Sequence, residues 1–100
     1  MIAAQLHPAA EQELSEAAQF YEVAMPGLGY AFVHDVEKVV GRICAFPKAG
    51  APFGPSTRGA IVPNFPFRVV YRIEQERIFV LAIAHQRRRS GYWRARRSED

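Results

Sequence analysis

The feature that most constrains the fold is a pair of strand-like runs near the C-terminus, FPFRVVYRI and RIFVLAIAH, separated by the short polar stretch EQE at residues 74–76. Both runs are rich in β-branched and aromatic residues, which favour β-strands. A connection this short predicts that the two strands form a hairpin. A lone hairpin is marginally stable in water, so the rest of the chain is expected to pack against it.

Alternation of side chains along the hairpin predicts the composition of its two faces. The face expected to receive helices carries Phe67, Val69, Tyr71, Ile73, Ile78, Val80, Ala82 and Ala84. The second face carries Arg68, Val70, Arg72, Phe79, Leu81, Ile83 and His85. Because it is half apolar and edged by Arg68, His85 and Arg87, the second face is either an open partner surface or a surface that the C-terminal residues fold back and cover.

Upstream of the hairpin, the sequence predicts a short strand at residues 2–6 and a helix at residues 7–24. After the break MPGLG, a second helix is predicted from its inward stripe of Leu28, Phe32, Val36, Val39, Ile43 and Phe46. A Pro/Gly-rich loop at 47–59 leads into a strand that bends near residues 63–66. The sequence therefore predicts one α+β domain over residues 1–100, of order β-α-α-β-β-β. A helical hairpin would pack on one face of a small antiparallel sheet, followed by a short basic tail or helix.

The C-terminal stretch AHQRRRSGYWRARRSED carries almost all of the net positive charge. Residues 1–86 contain seven basic and eight acidic residues, whereas residues 87–100 contain six arginines and two acids. Arginine, unlike lysine, makes bidentate contacts to phosphate and carboxylate groups. The pattern indicates a surface for an acidic partner or a nucleic acid, with a merely solubilising tail as the alternative.

Several classes of protein are excluded by the same sequence. No apolar run approaches the ~20 residues of a membrane span, and the N-terminus lacks the basic region of a secretory signal. Cys44 is the single cysteine, which indicates a reducing cytoplasm, and it is expected to be buried. His7 and His34 are expected to be exposed, and the three histidines show no metal-ligand spacing, so neither a metal nor a cofactor is predicted.

Three segments, FPKAG, FPFRVVY and AHQRRRSGYW, follow in an order and spacing that resemble the RelE/ParE superfamily of type II toxin–antitoxin toxins (the plasmid stabilisation family). The resemblance covers roughly residues 5–97. It implies a small cytoplasmic toxin that a cognate antitoxin holds inactive in a hetero-oligomer. RelE-like members of this superfamily are ribosome-dependent mRNA endonucleases, whereas ParE-like members bind and poison DNA gyrase.

If the chain is RelE-like, the resemblance implies Arg68, His85, Arg87 and Tyr92 as catalytic residues. RelE-like members carry two lysines about seven and nine residues before the arginine that Arg68 matches, and Ile61 and Gly59 stand there in this chain. The nearby cation is Arg58, which stays protonated and is a poor general base. This departure favours the ParE-like alternative.

The ParE-like alternative places the contacts to the target on Arg87, Arg88, Arg89, Tyr92, Trp93 and Arg94, and the contacts to the antitoxin on Phe79, Leu81 and Ile83. Each residue also has a structural interpretation. Arg68 could pair with Glu74 or Glu76, His85 could be a structural histidine, and Tyr92 and Trp93 could pack a terminal helix on the sheet. We therefore expect a gyrase inhibitor, with a ribosome-dependent endonuclease and a non-toxic nucleic-acid- or protein-binding module as alternatives.

Overall fold

A helical hairpin lies against one face of a five-stranded sheet in the computed structural model, which describes residues 2–98. The elements are β1 (Ala3–Leu6), α1 (Pro8–Ala24), α2 (Leu28–Ala45), β2 (Ala51–Pro52), β3 (Arg58–Ile61), β4 (Phe67–Glu74) and β5 (Arg77–His85). The strands are ordered β1-β5-β4-β3-β2; β1 runs parallel to β5 and the other neighbours are antiparallel. This confirms the predicted α+β fold, with a mixed sheet because β1 adds one parallel pair.

The tight turn between the helices depends on one carboxylate and one glycine. Glu22 near the end of α1 accepts hydrogen bonds from the backbone N–H groups of Gly27 (2.9 Å) and Gly29 (3.0 Å), which satisfies donors at the start of α2. Gly29 lies directly against α1, because a Cβ atom at this position would be 2.5 Å from the carbonyl oxygen of Ala18. The two helices can therefore pack this closely only because residue 29 has no side chain.

The core between helices and sheet is largely the one that the α2 stripe predicts. Phe32, Val36 and Ile43 are fully buried, and Cys44 is buried as expected. Phe46 is the exception, with 62% of its surface exposed. The helix ends at Ala45 and Phe46 adopts a non-helical backbone conformation, so its ring leaves the inward stripe.

The N-terminus of α1 corrects the expectation that His7 is exposed. His7 is buried because its backbone N–H donates to Val80 O (2.9 Å) and so continues the pairing of β1 with β5. Its Nδ1 accepts the N–H of Ala9 (3.0 Å), which caps α1, and its ring lies edge-on to Phe79. His7 is therefore part of the junction between β1 and α1.

A β-bulge in β5 changes the predicted faces of the hairpin. Val70 pairs with Ala82 and Tyr71 pairs with Val80, which leaves Leu81 as an extra residue. Ile83 consequently lies in the helix-side core and His85 contacts Phe67 on that side, whereas the prediction placed both on the second face. Conversely, Ala82 and Ala84 were predicted on the helix side and lie on the second face.

The loop between α2 and β3 is held in place by Tyr71. Its hydroxyl donates to Pro47 O (2.6 Å) and accepts the N–H of Gly50 (2.9 Å), and Arg58 donates to Gly50 O (2.7 Å). Phe53 follows in the same loop, where its N–H donates to Thr57 O (2.9 Å). These contacts fix the position from which Phe53 reaches the second face of the sheet.

The close approach at Gly29 gives a test with an internal control. Gly29→Ala is expected to cost about 1–3 kcal/mol in the free energy of unfolding, because the added methyl group must push the two helices apart. Gly41→Ala, in the same helix with nothing within 4 Å of the added Cβ, is expected to stabilise the chain by up to about 1 kcal/mol. Chemical denaturation measures both; equal effects of the two substitutions would contradict the close packing.

Candidate functional site in the C-terminal segment

The C-terminal segment, residues 86–98, covers the second face of the sheet. This face is therefore not an open partner surface. A second apolar cluster forms there from Val70, Phe79, Leu81, Ala82, Ala84 and Trp93. Phe79 and Leu81 are therefore buried beneath the segment, and Ile83 is buried on the helix side. Of the two alternatives that the sequence left open, the covered face is the one present, and the role of these three residues in binding an antitoxin stays a prediction.

Trp93 anchors the segment to the sheet. Only 3% of its surface is exposed. Its ring stacks on Phe53 with a centroid distance of 5.3 Å and an interplanar angle of 23°. Aromatic stacking of this kind stabilises beyond the apolar area that it buries. The segment is thus packed like a core element, although it contains turns instead of a regular helix.

Glu13 of α1 is the polar anchor of the segment. Its carboxylate accepts hydrogen bonds from the Tyr92 hydroxyl (2.8 Å) and from both Nη atoms of Arg96 (2.9 and 3.0 Å). It also accepts the backbone N–H of Ile83 (3.0 Å), and Arg96 donates to the carbonyl oxygen of Leu81 (2.8 Å). The Glu13–Arg96 pair therefore joins α1, the bulged part of β5 and the C-terminal segment.

The Tyr92 hydroxyl is held in its protonated form by these surroundings. Burial raises the pKa of Tyr92 well above its ordinary value, and the hydrogen bond to the Glu13 carboxylate and its negative charge raise it further. The phenol consequently acts as a hydrogen-bond donor to Glu13 at neutral pH. This arrangement supports the structural interpretation of Tyr92 over its predicted catalytic role.

The six C-terminal arginines fall into separate groups. Arg96 is used inside the domain, as described above. Arg87, Arg88, Arg89, Arg94 and Arg97 are exposed, and we call the first four of these the exposed arginine row. Arg88 lies over the Tyr92 ring, with its Cζ atom 3.9 Å from the ring centroid. The row is thus displayed by a segment that Trp93 and Arg96 fix to the domain.

Of the predicted catalytic residues, Arg68 and His85 line one small cleft at the end of β5, whereas Arg87 and Tyr92 do not. The Arg68 guanidinium lies on the second face over the ring of Phe53 (4.3 Å), whereas the His85 ring packs edge-on against Phe67 on the helix side (5.1 Å). The Nδ1 of His85 accepts the N–H of Arg87 (3.0 Å), which leaves Nε2 to carry the proton of the neutral ring. Arg68 does not pair with Glu74 either, because Glu74 pairs with Arg72 and Arg77.

Position 59, where RelE-like members carry a lysine, has a geometric reason to be glycine. A Cβ atom on Gly59 would be 2.6 Å from Cδ of Arg68 and 3.2 Å from Cγ of Phe53. A side chain there would displace Arg68 from the Phe53 ring. The absence of a lysine is therefore tied to the way in which this chain holds Arg68.

Sequence reasoning did not find Glu13, Arg96 or Phe53 as parts of this region. Glu13 and Arg96 are 83 residues apart, and no local pattern pairs them. The one available signal was that Glu13 lies three residues after Ala10 and four before Ala17, both on the inward side of α1, where a carboxylate requires a partner.

Within residues 2–98, no helix is both long and apolar enough to cross a bilayer. The same part of the chain contains no group of three His, Cys, Asp or Glu side chains arranged to hold a metal ion.

A family model and a solved structure that match the chain agree with each other. A family model described as the ParE toxin of type II toxin–antitoxin systems, parDE, matches residues 4–90. The chromosomal ParDE toxin–antitoxin system from P. aeruginosa has a similar structure, with a TM-score of 0.74 and 21% sequence identity over 85% of this chain and 96% of that chain. At this identity the similarity shows a shared fold. No curated protein sequence matches the chain.

The anchoring role of Glu13 is tested by Glu13→Gln. The substitution leaves Arg96 without its charged partner and is expected to cost roughly 2 kcal/mol in the stability of the segment. Because Trp93 is the single tryptophan, its fluorescence is expected to shift to the red and to be quenched more readily by acrylamide. Glu16→Gln, at an exposed position one turn along α1, is the control. Identical emission and quenching in the two variants would contradict the anchor.

Proposed function

The chain belongs to the ParE toxin family of type II toxin–antitoxin systems, and we propose that it inhibits DNA gyrase by binding, through the exposed arginine row. The observation that carries the proposal is the separation of the arginines: five are exposed, four of them in the exposed arginine row, while Arg96 fixes their segment to the domain. Arginine residues dominate binding hot spots, and a rigid support lowers the entropy lost on association.

The geometry gives less support to RNA cleavage. Cleavage through the 2′-hydroxyl requires a group to take a proton, a cation near the phosphate and a group to protonate the leaving oxygen. His85 and Arg68 line one cleft, but the His85 ring packs against Phe67 and the Arg68 guanidinium against Phe53, and the Tyr92 hydroxyl donates to Glu13. Inhibition by binding alone requires no catalytic group, and the exposed arginine row is sufficient for it.

We further propose that a cognate antitoxin protein neutralises the chain by binding it. The similar P. aeruginosa structure is described as a toxin–antitoxin system, and the family is defined by the pair of proteins in parDE. In such a complex the net positive charge of the C-terminal segment favours an antitoxin with acidic residues at the contact.

Expression of the chain in bacteria without an antitoxin separates the alternatives. We expect filamentation and DNA damage while protein synthesis continues, and the purified chain is expected to inhibit supercoiling by gyrase. Early arrest of protein synthesis with cleaved mRNA would contradict the proposal in favour of an endonuclease. Normal growth would instead indicate a non-toxic binding module.

The role of the exposed arginine row is tested by replacing Arg87, Arg88 and Arg89 with alanine. The concentration for half-inhibition of gyrase is expected to rise at least about tenfold, since one hot-spot arginine is worth roughly 2 kcal/mol. The matched control replaces Lys38, Arg42 and Lys48, which are exposed cations of α2 and the following loop, and removes the same charge. Unchanged inhibition by the first variant, or equal loss in both, would contradict a specific role for the row.

A further inference from the structure

A small cleft lies at the end of β5, between the loop that carries Phe53 and the C-terminal segment. Its volume is about 220 Å³, and the residues used below are Phe53, Arg68, Ala84, Arg88, Ser90 and Trp93. Phe53 and Trp93 give it a stacked aromatic wall, and Ala84 gives it a small apolar surface. The guanidinium groups of Arg68 and Arg88 are its permanently charged lining, His85 and Gln86 also line it, and no carboxylate of residues 2–98 does.

The Arg68 guanidinium in this cleft differs from the other partly buried arginines in its contacts. Five arginines of the described chain are partly buried, and four of them donate hydrogen bonds to protein acceptors. Arg58 donates to Gly50, Arg72 and Arg77 donate to Glu74, and Arg96 donates to Glu13. Among residues 2–98, Arg68 is the partly buried arginine whose guanidinium has an aromatic ring as its contact and no acceptor.

Arg88 faces the same cleft in a similar state, with its guanidinium over the Tyr92 ring and no carboxylate partner within residues 2–98. A guanidinium that lies over an aromatic ring keeps its N–H donors available, because these point outward in its own plane. Two such groups lining one cleft create a site that is complementary to an anion with two or more acceptor oxygens.

We propose that this cleft binds a single carboxylate side chain that the antitoxin inserts between Arg68 and Arg88. The volume accommodates one acidic side chain, whose methylene groups would lie against Phe53 and Trp93 while Ser90 lies at the same lining. A phosphodiester has a sugar on each side of its phosphate, and a cleft of about 220 Å³ is too small to favour both sugars. This inference rests on the proposed function, because it assumes a neutralising antitoxin.

Binding of a carboxylate in this cleft would explain how an antitoxin neutralises the toxin. Arg88 belongs both to the cleft and to the exposed arginine row, so a carboxylate that engages it removes one cation from the surface offered to the target. The recessed Arg68 is suited to a side chain that enters the cleft, whereas Arg87, Arg89 and Arg94 remain on the outer surface.

The test uses the purified full chain and follows the Nε–Hε signals of its arginines by NMR. Titration with N-acetyl-glutamate N-methylamide is expected to give saturable shifts for Arg68 and Arg88, with no comparable shift for Arg89. The uncharged N-acetyl-glutamine N-methylamide is expected to give none. Arg68→Gln is expected to weaken binding of the glutamate probe about tenfold or more, as for loss of a charged hydrogen bond, and the control Arg89→Gln is expected to leave it within about twofold.

Equal shifts with the glutamate and glutamine probes, or equal shifts at Arg89, would overturn the site. A short single-stranded oligonucleotide that shifts Arg68 where the glutamate probe does not would overturn it in favour of nucleic acid. A change in Trp93 fluorescence on Arg68→Gln would mean that the substitution disturbs the segment. In that case the comparison of the glutamate and glutamine probes on the unaltered chain tests the site. The titration reads binding alone, so its failure leaves the gyrase result intact, and a failed gyrase assay leaves the titration intact.

Discussion

The hydrogen-bonded ion pair between Glu13 and Arg96 is the interaction on which the arrangement of the C-terminal segment depends. A partly buried charge is costly unless it is paired, and Glu13 is satisfied by Arg96, Tyr92 and a backbone N–H of β5. Because Arg96 also donates to Leu81 O, the same pair satisfies a backbone acceptor at the bulge, beyond the point where β1 ends. One ion pair thus fixes the path of the C-terminal segment, residues 86–98, relative to the first helix, and Trp93 adds the apolar part of the same attachment.

Because of this attachment, the arginines of the C-terminal segment have different roles. Arg96 is structural. Arg87, Arg89, Arg94 and Arg97 lie at the surface, and Arg88 belongs to both the surface and the cleft beside Arg68. A flexible tail with the same composition would attract anions, but it would lose more entropy on binding and would specify no geometry. In the proposed account, a rigid display of cations distinguishes an inhibitor that acts by binding from a generally basic tail.

Much of the fold was predictable because it follows from local patterns. The period of apolar residues in α2, the MPGLG break and the short EQE turn gave the helical hairpin and the strand pair with small errors at their ends. The bulge at Leu81 was not predictable, since alternation assumes a regular strand, and it reversed the faces of Ile83 and His85. The covering of the second face was one of two alternatives. The choice between them depends on Glu13 and Arg96, which are distant in sequence, and on Phe53, which lies in a loop without periodicity.

The most direct test of the central claim is the mobility of the C-terminal segment in the free chain. Backbone ¹⁵N relaxation should give order parameters for residues 88–96 of about 0.85, equal to those of β5, if Glu13 and Trp93 hold the segment on the sheet. Order parameters below about 0.6 across these residues would contradict the account, because the arginines would then belong to a flexible tail with no fixed geometry to present.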